Sequence, residues 1–363
     1  MPNFRKLILY YLGVLLIAAL VFFIWIFATE YKPAAEETVL IETQNGSTAP
    51  VKVLNPGDTL TVFSQNTGYA GLGAEADFFM DGGSSVQPKV EHSVKNLTGL
   101  SEFLNRLNAD VYFLQEVDTD SKRSYGINQA QTYWNSLSEN NPDRSYSSAF
   151  ALNFSCNYVP YPMPPIGKVH SGLQTISGFN MDNAKRVSLP CPFQWPVSAC
   201  NLKRCLLVSY VPLENTDKQL VLVNLHLEAY DDGEGKAAQT KALMDLLTRE
   251  YEKGNYVIAG GDFNQIFPGT LDTYPINNPD LCTPGVLEED MLPEGWQFAY
   301  DSVTPTCRLL NQPYDPDSED TQFYILDGFI LSPNCTVRSV TTVNSDFRFT
   351  DHNGVKLEVT LEK

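Results

Sequence analysis

The chain is poor in basic residues. Its 363 residues include 25 Lys and Arg against 43 Asp and Glu, a formal net charge of −18 at pH 7. Three basic residues and one acidic residue lie in the first 32 positions, so the remainder carries 22 positive and 42 negative charges, a net charge of −20. Such a surface repels polyanions at long range, which disfavours sequence-independent binding of nucleic acid but leaves room for a local basic cleft.

The sequence also lacks the cysteine motifs of structural zinc sites. None of its seven cysteines forms a CxxC pair, and no Cys/His cluster has zinc spacing. The odd number leaves at least one thiol unpaired unless a second chain supplies a partner. Cys191, Cys200 and Cys205 are close enough in sequence to hold a disulfide outside the cytoplasm, and small buried hydrophobic residues are the alternative interpretation.

Charge is absent from residues 7–28. As a helix rising about 1.5 Å per residue, this run reaches roughly 33 Å, enough to cross a hydrocarbon core of about 30 Å. A buried core helix rarely needs so long an uncharged run, and we therefore predict a transmembrane anchor. A cleaved signal peptide is the alternative, although its apolar part would be shorter and no small-x-small cleavage site follows this run.

The charges beside this run predict its orientation. Arg5 and Lys6 precede it, and three glutamates follow it within ten residues. The positive-inside rule then places residues 1–6 in the cytoplasm and everything after the anchor outside. We expect a single-pass protein of the cell membrane, with the lipid bilayer as a partner of the anchor.

The remaining chain divides into a linker and one domain. Residues 29–57 contain three prolines and a run of acids, a composition typical of a linker. From 58 to 363, short apolar strands alternate with amphipathic helices, which indicates an α/β domain. The predicted strands are 60–66, 110–117, 203–213, 218–229, 255–264, 323–332 and 355–363, and the predicted helices are 90–108 and 236–254.

Polar side chains used in phosphate and metal chemistry recur at the predicted strands. An unpaired carboxylate in a buried strand is costly, so its repeated presence needs another reason. Carboxylates, amides and imidazoles gathered at strand ends indicate a metal-assisted hydrolytic site. These residues are Asn66, Gln115, Glu116, Asn224, His226, Asp262, Asn264, Asp327, Asp351 and His352.

The motifs that carry these residues resemble the endonuclease/exonuclease/phosphatase superfamily, whose members share the DNase I-like fold. Five blocks occur in the family's order: LQEV (114–117), VNLHL (223–227), GGDFN (260–264), ILDGFIL (325–331) and TDH (350–352). The resemblance covers roughly residues 58–361. It implies an α/β fold of four αββα layers, with two packed mixed β-sheets, preceded here by the single transmembrane helix.

The resemblance also implies a role for each matching residue. Glu116 would be the main ligand of Mg²⁺, with Mn²⁺ or Ca²⁺ as alternatives, and Asn66 and Asp351 would lie beside the metal. Asp262 would orient or deprotonate the attacking water, and Asn264 would bind a phosphate oxygen. His226 and His352 would hydrogen-bond the phosphoryl oxygens. The Asp327 carboxylate would hold the His352 imidazole in the required tautomer.

Several further features depart from the family or lie outside its motifs. The family usually has an aromatic residue where Gly328 stands, and the second carboxylate that orients the middle histidine has no evident counterpart. Arg204 and His170 are weaker candidates for substrate contact, with an ordinary strand-end charge and an exposed residue as alternatives. The glycine- and phenylalanine-rich loop 68–83 is either a substrate lid, a membrane-facing loop or a segment packed on the core.

The sequence thus predicts a membrane-anchored, extracytoplasmic, Mg²⁺-dependent hydrolase of phosphoric esters. A phosphodiester of a lipid or small molecule is the favoured substrate. The alternatives are an extracellular nuclease of the same fold, with nucleic acid as substrate, and a non-catalytic membrane-tethered binding domain. The sequence does not allow a protein partner to be predicted.

Overall fold

A computed structural model gives the structure of the chain. It describes residues 2–44, 49, 52–231, 233–277, 281 and 283–363. The α-helices of this part are α1 (Pro2–Ala28), α2 (Val90–Leu107), α3 (Gln129–Asn140) and α4 (Glu234–Glu252). Short 3₁₀ turns occur at Gly68–Ala70, Phe79–Asp81, Lys122–Ser124, Val197–Cys200, Thr270–Asp272 and Glu289–Met291.

The described residues form strands along the whole domain. In chain order they are β1 (Glu36–Thr38), β2 (Ile41–Thr43), β3 (Thr59–Asn66), β4 (Val111–Asp118), β5 (Ser147–Val159), β6 (Gly167–Ser177), β7 (Asn183–Ser188), β8 (Cys205–Pro212), β9 (Gln219–His226), β10 (Tyr256–Asp262), β11 (Gln265–Ile266), β12 (Gly285–Val286), β13 (Gln297–Ala299), β14 (Cys307–Arg308), β15 (Phe323–Tyr324), β16 (Asp327–Leu331), β17 (Cys335–Val343) and β18 (Gly354–Leu361).

Two seven-stranded mixed sheets pack face to face. Sheet I has the order β1-β7-β8-β9-β10-β16-β13, and sheet II has the order β17-β18-β3-β4-β6-β5-β2. Only β9–β10 and β3–β4 pair in parallel within these sheets in the described chain. The largest apolar cluster lies between the sheets, while α4 covers the outer face of sheet I and α2 and α3 cover that of sheet II. The predicted αββα sandwich is therefore confirmed.

The predicted core elements agree with the structure within a few residues, with one exception. The run 323–332 was expected as a single strand, but it divides into β15, which pairs with β14, and β16, which belongs to sheet I. The break follows from one side chain, because the Thr306 hydroxyl oxygen accepts hydrogen bonds from the backbone N–H groups of Leu326 and Asp327 at 2.8 and 3.1 Å. These two N–H groups bond to a side chain at the point where the two strands separate.

The segment predicted as a linker, 29–57, is partly built into the sandwich. β1 pairs with β7 at one edge of sheet I, and β2 pairs with β5 at one edge of sheet II. Sheet edges present unpaired backbone groups, and these two three-residue strands satisfy them. The segment that follows α1 therefore leads directly into the edges of both sheets.

α1 is the one helix of the described chain that is long and apolar enough to cross a membrane, over Phe4–Ala28. Most of its side chains are exposed to the surroundings, as expected for a helix in lipid. Its last turns differ, since Ile26 is only 5% exposed. The Phe27 and Trp195 rings lie 4.9 Å apart, so the end of α1 packs against the domain.

No disulfide joins the described cysteines. Cys191 is exposed, and Cys205 is buried in β8. The thiol of Cys200 instead contacts that of Cys156 on β5. The alternative of small buried hydrophobic residues fits Cys156, Cys205, Cys307 and Cys335, and Cys282 lies outside the described residues.

Gly261 allows β9 and β10 to approach each other. Its φ is +150°, and a Cβ atom there would lie 1.9 Å from the backbone oxygen of Leu225. We predict that Gly261→Ala lowers the free energy of unfolding by about 2–4 kcal/mol, because a backbone atom cannot move aside as a side chain can. Thermal unfolding of the full chain in detergent micelles measures the loss.

Gly285→Ala is the matched control for this substitution. A Cβ at Gly285 meets nothing closer than 3.5 Å, and we expect a change within about 0.5 kcal/mol. Equal stability of the Gly261 and Gly285 variants would contradict the steric explanation.

Candidate functional site

The polar residues predicted from the strand ends meet at one end of the sandwich. In sheet I, Asp262 lies in register with His226 on one side and with Asp327 on the other. In sheet II, Asn66 at the end of β3 is paired with Gln115. The sheets face each other, so these strand ends line a common cleft.

Glu116 is aimed into the cleft by a distortion of β4. The pairing of β4 with β6 shifts between Leu114 and Val117, and Glu116 has a φ of +53°. A β-bulge with a left-handed residue is a local cost that neighbouring structure must offset, and such costs concentrate at functional sites. The bulge turns the carboxylate towards Asn66, whose Nδ2 donates to Glu116 Oε1 at 3.2 Å.

Asn66 also reaches across to the other sheet. Its Nδ2 donates to Asp262 Oδ2 at 3.0 Å, and its Oδ1 accepts from the backbone N–H of Gly68 at 3.0 Å. The amide is buried and both of its polar atoms are used. Asn66 thereby fixes the positions of Glu116 and Asp262 relative to each other.

Asp262 is the point on which the other groups converge. Its Oδ1 accepts from the backbone N–H of Asn264 at 2.8 Å, while its Oδ2 lies 3.5 Å from His226 Nε2 and 3.7 Å from His352 Nε2. Asn264 has a φ of +50°, and its Nδ2 donates to the carbonyl of Leu227 at 2.9 Å. Burial raises the pKa of Asp262, and the Asp327 charge adds to the effect while His352 opposes it.

His352 and Asp327 form a buried imidazole–carboxylate pair. His352 Nδ1 lies 2.8 Å from Asp327 Oδ2, which leaves Nε2 facing the cleft. Burial disfavours the charged imidazolium, but the surrounding acids, Asp327 foremost, outweigh it and hold the pKa of His352 well above its usual value. His352 is therefore the cationic histidine of the site.

His226 is the neutral histidine of the site. Burial lowers its pKa well below the usual value, and the charges of Arg204 and His352 add to this effect. Its Nδ1 is buried and has no hydrogen-bond partner within the described part of the chain. No carboxylate of the described residues therefore orients His226 through its Nδ1.

Asp351 contributes a buried carboxylate beside Glu116. Burial raises the pKa of Asp351 to about 7, with His352 lowering it and the charge of Glu116 raising it. Two groups of donor atoms lie within 4.8 Å of one another among the described residues: Cys307, Asp351 and His352 form one, and Asp262, Asp327 and His352 form the other.

Arg204 lies in the cleft wall as a buried cation. Its Nε lies 3.6 Å from Glu228 Oε2, an ion pair longer than a hydrogen bond, and the Nε has no hydrogen-bond partner within the described residues. Glu228 Oε1 accepts from the backbone N–H groups of Ala229 and Tyr230 at 3.0 and 3.2 Å. Arg204 therefore retains donor capacity at the cleft.

His170 lies outside the cleft. It is followed on β6 by Ser171, which lines the cavity, and adjacent residues of a strand point to opposite faces. The His170 backbone N–H donates to the Ser121 hydroxyl oxygen at 2.9 Å. Of the two weaker candidates, the structure brings only Arg204 to the site.

A second arginine lines the cleft without having been predicted. Arg123 makes a bidentate pair with Asp118, with Nε to Oδ2 at 3.0 Å and Nη2 to Oδ1 at 2.9 Å. Its guanidinium carbon lies 3.8 Å from the centre of the Tyr69 ring, in cation–π contact. Burial by itself lowers the pKa of Arg123. The neighbouring acids, above all Asp118, outweigh burial and raise this pKa above its usual value. No spacing in the sequence marks this contact, because Arg123 lies on a short 3₁₀ turn.

Gly328, the departure from the family pattern, has a local explanation. A Cβ at Gly328 would lie 2.6 Å from Cζ of Phe267 and 3.1 Å from the backbone oxygen of Ala299. The Phe267 ring stacks on Tyr300 and is fully buried. An aromatic ring from another segment thus fills the space next to Gly328.

These residues open into one cavity of about 670 Å³. Its charged end is lined by Glu116, Arg123, Arg204, His226, Asp262, Asn264, Asp351 and His352. The cavity extends from there along the loop 68–83, where Phe78, Phe79 and Met80 line it. Phe78 also packs with Leu310, so this loop both rests on the core and forms a wall of the cavity.

Solved structures share this architecture. An endonuclease/exonuclease/phosphatase from Beutenbergia cavernae superimposes with a TM-score of 0.56 at 16% identity, over 84% of this chain and 72% of that one. A protein of the same family from Leptotrichia buccalis gives 0.53 at 15% identity, over 82% and 98%. ANGEL2, described as a 2′,3′-cyclic phosphatase in complex with adenosine-2′,3′-vanadate, gives 0.55 at 14% identity, over 90% and 99%.

Comparison by sequence adds nothing to these similarities. No protein-family model matches the chain, and no curated protein matches it. At 14–16% identity the likeness to solved structures is a likeness of fold. The chain has the fold of the endonuclease/exonuclease/phosphatase proteins.

Proposed function

We propose that the protein is a metal-dependent hydrolase of phosphoric esters, anchored in the cell membrane with its catalytic domain outside. One observation carries the proposal: Asp262 Oδ2 lies within 3.7 Å of both His226 Nε2 and His352 Nε2 and within 3.0 Å of the Asn66 amide. A buried acid, a neutral imidazole and a cationic imidazole in one cleft supply a base and charge stabilisation for attack on phosphorus.

The donor set of the cleft fits a magnesium ion at Glu116 and Asp351. Burial and the charge of Glu116 raise the pKa of Asp351, a cost that a divalent cation would relieve, and Mg²⁺ prefers such oxygen ligands. The group containing Cys307 fits less well, because a thiolate selects softer metals. The group containing Asp327 is already used by its bond to His352. When bound, the ion would polarise a phosphoryl oxygen and offset its negative charge.

Asp262 is the residue proposed to prepare the nucleophile. A water molecule hydrogen-bonded to its Oδ2 would be oriented for attack and would lose its proton to the carboxylate as the new P–O bond forms. The opposite P–O bond breaks in line with the attack, and the leaving oxygen takes up a proton from solvent, to which Asp262 releases the proton that it gained. The backbone N–H of Asn264 and the amide of Asn66 hold the Asp262 carboxylate in place at 2.8 and 3.0 Å.

The histidines would act on the phosphoryl group. His352 carries a positive charge because of Asp327, so its Nε2 can donate to an oxygen that becomes more negative in the transition state. His226 can donate from Nε2 as the neutral tautomer. Arg204 keeps a donor near the same end of the cavity, and a phosphate oxygen is a suitable acceptor for it.

An uncleaved anchor fits the packing at the end of α1. The Phe27–Trp195 contact and the pair between Lys203 Nζ and Glu30 Oε1, 3.0 Å long, join the helix end to the domain. Removal of α1 would expose the apolar surfaces that it covers. The predicted orientation follows from the charges beside the helix.

The catalytic assignment predicts large and separate losses of turnover. Replacing His226, Asp262 or His352 with alanine should each lower kcat on bis(p-nitrophenyl) phosphate by about 100-fold or more, roughly 3 kcal/mol, because each acts mainly in the transition state. KM should change much less. Steady-state kinetics on the full chain in detergent micelles measures both.

His92→Ala is the control for this series. His92 is half-buried at the start of α2, where its Nδ1 lies 3.4 Å from Glu75, and it should leave kcat unchanged. Near-normal turnover in the His226 and His352 variants would remove the proposed catalytic site. Thermal unfolding of each variant separates loss of chemistry from loss of fold.

Metal removal provides an independent test. EDTA should abolish hydrolysis, and Mg²⁺ or Mn²⁺ should restore it, because the site offers hard oxygen donors. Glu116→Gln should raise the Mg²⁺ concentration needed for half-maximal activity by about tenfold or more, whereas the exposed Glu102→Gln should not. Full activity in chelator would contradict the role of Glu116.

The orientation predicts that the domain can be reached from outside the cell. A protease added to intact cells should digest the domain while a cytosolic marker protein survives. The control is the same treatment after the cells are permeabilised, which should destroy both. Protection of the domain equal to that of the marker in intact cells would reverse the proposed topology.

A further inference from the structure

The cavity of the candidate site continues to the transmembrane helix. Phe23, Ile26 and Phe27, on the last two turns of α1, line the same cavity as Glu116 and His226. Their spacing of three and four residues places them on one face of the helix. One continuous space of about 670 Å³ thus joins the charged residues to the membrane anchor.

The wall of the cavity near α1 is apolar. Two loops of the domain and the 3₁₀ turn at Phe79–Asp81 face the helix there. The apolar lining side chains there include Phe78, Phe79, Met80, Tyr161, Phe193 and Val197. Asp81 of the same turn also lines the cavity, and its carboxylate accepts a hydrogen bond from the Tyr230 hydroxyl at 3.0 Å. We call this part of the cavity the apolar arm. A polar ester alone would gain nothing from it, whereas a hydrocarbon chain would be removed from water.

α1 is fixed in place as a wall of the arm. The Phe22 ring meets that of Tyr158 at a centroid distance of 5.5 Å, and Phe27 meets Trp195 at 4.9 Å. Below these contacts, Lys203 Nζ pairs with Glu30 Oε1 at 3.0 Å, and both side chains are largely buried. The helix therefore meets the domain in a defined position.

The position of these contacts places the arm at the depth of the bilayer surface. Residues 22–27 are the outer end of the predicted membrane span and occupy roughly 9 Å of helix. Around them the domain exposes apolar side chains, with exposures of 68% for Tyr161, 85% for Met163 and 64% for Trp195. Such a patch is costly in water and is typical of a surface covered by lipid.

We propose that the substrate is a phosphodiester lipid of the bilayer that holds α1, with one hydrocarbon chain in the apolar arm and its phosphate at Asp262, His226 and His352. The inference rests on the proposed function and names its substrate class. The lipid enters beside α1, and its chain lies against Ile26 and Val197 while its phosphate is attacked. The anchor is then part of the substrate site as well as an attachment.

Nucleic acid fits this cavity less well. Single strands are bound by basic grooves with stacking aromatic platforms, and the chain outside the anchor has a net charge of −20. Arg123, Arg204 and Arg308 are the arginines that line the cavity, and the Arg123 guanidinium is already paired with Asp118. The path away from them is apolar, as a lipid chain requires.

Two chromogenic diesters test the proposal. p-Nitrophenyl methyl phosphate and p-nitrophenyl dodecyl phosphate share one leaving group and differ only in the chain. With the full chain in neutral detergent micelles, kcat/KM should be at least 50-fold higher for the dodecyl ester. Because the dodecyl ester also concentrates in micelles, the decisive quantity is the change of this ratio between variants.

Matched variants remove that ambiguity. Ile26→Ala, in the arm, should lower the dodecyl-to-methyl ratio at least fivefold, whereas Ile24→Ala, on an exposed part of the same helix, should leave it unchanged. Val197→Asp should lower it at least tenfold, because it places a charge in the chain path. Val303→Asp, at a 72% exposed position outside the cavity, should not.

The outcomes separate this inference from the proposed function. Hydrolysis of neither ester with any divalent metal contradicts the proposed function itself. If both esters are hydrolysed and the dodecyl-to-methyl ratio of kcat/KM is the same in Ile26→Ala and Ile24→Ala, the apolar arm does not bind the chain. The proposed function is then unaffected. Faster hydrolysis of an oligonucleotide than of the dodecyl ester overturns the lipid in favour of nucleic acid.

A binding measurement gives a readout that does not need activity. Asp262→Asn protein reconstituted in vesicles of phosphatidylcholine with a photoreactive diazirine on the acyl chain should become labelled at Phe79 or Met80, identified by mass spectrometry of peptides. These residues belong to the domain and not to the membrane span. Labelling confined to α1 residues away from the arm, such as Ile24, would overturn the proposal.

Discussion

The geometry of the site depends on one amide group. Asn66 belongs to sheet II, and its Nδ2 donates both to Glu116 of the same sheet, at 3.2 Å, and to Asp262 of sheet I, at 3.0 Å. The candidate metal ligand and the candidate base are thereby held at one separation, although they come from different layers. A second buried bond lies deeper, where Gln115 Nε2 donates to Asn224 Oδ1 at 2.8 Å. Asn224 Nδ2 also donates to the backbone carbonyls of Leu114 and Gln174 in sheet II, at 3.2 and 2.9 Å. Such buried contacts between the sheets fix how the sheets are aligned, since a shifted alignment would leave buried amides unpaired.

Backbone strain is concentrated next to this contact. Glu116, with a φ of +53°, accepts a hydrogen bond from Asn66, and Asn264, with a φ of +50°, lies two residues after Asp262, which accepts another. Left-handed conformations cost free energy in residues with a Cβ, and the well-packed core of the sandwich offsets that cost. Gly261 shows the same balance, because β10 approaches β9 so closely there that no side chain fits. The site is rigid as a consequence, which suits groups that must meet a transition state without rearranging.

The sequence allowed the fold and most of the cleft to be predicted for a physical reason. Buried strands are apolar, so a polar residue at the end of one is conspicuous, and Asp262 and His226 were found in this way. Contacts made through short turns leave no such signal, and Arg123, which pairs with Asp118 in the cleft, was missed for that reason. The edge strands β1 and β2 have three residues each, too few to show a period. The division of 323–332 depends on the Thr306 hydroxyl, which lies about twenty residues away along the chain and has no local marker.

The segment between α1 and the domain contains β1 and β2 and is therefore held in place, which changes what a membrane anchor can do. A flexible linker would let the domain turn freely, so that its cleft would face the membrane only part of the time. Here the segment after α1 joins the edges of both sheets, and Lys203 holds Glu30 at the helix end. The acidic surface is repelled by the anionic headgroups of many membranes, which works against a close approach. In the proposed topology, α1 would oppose that repulsion by covalent attachment and would keep the mouth of the cavity beside the bilayer whatever the charge of the domain.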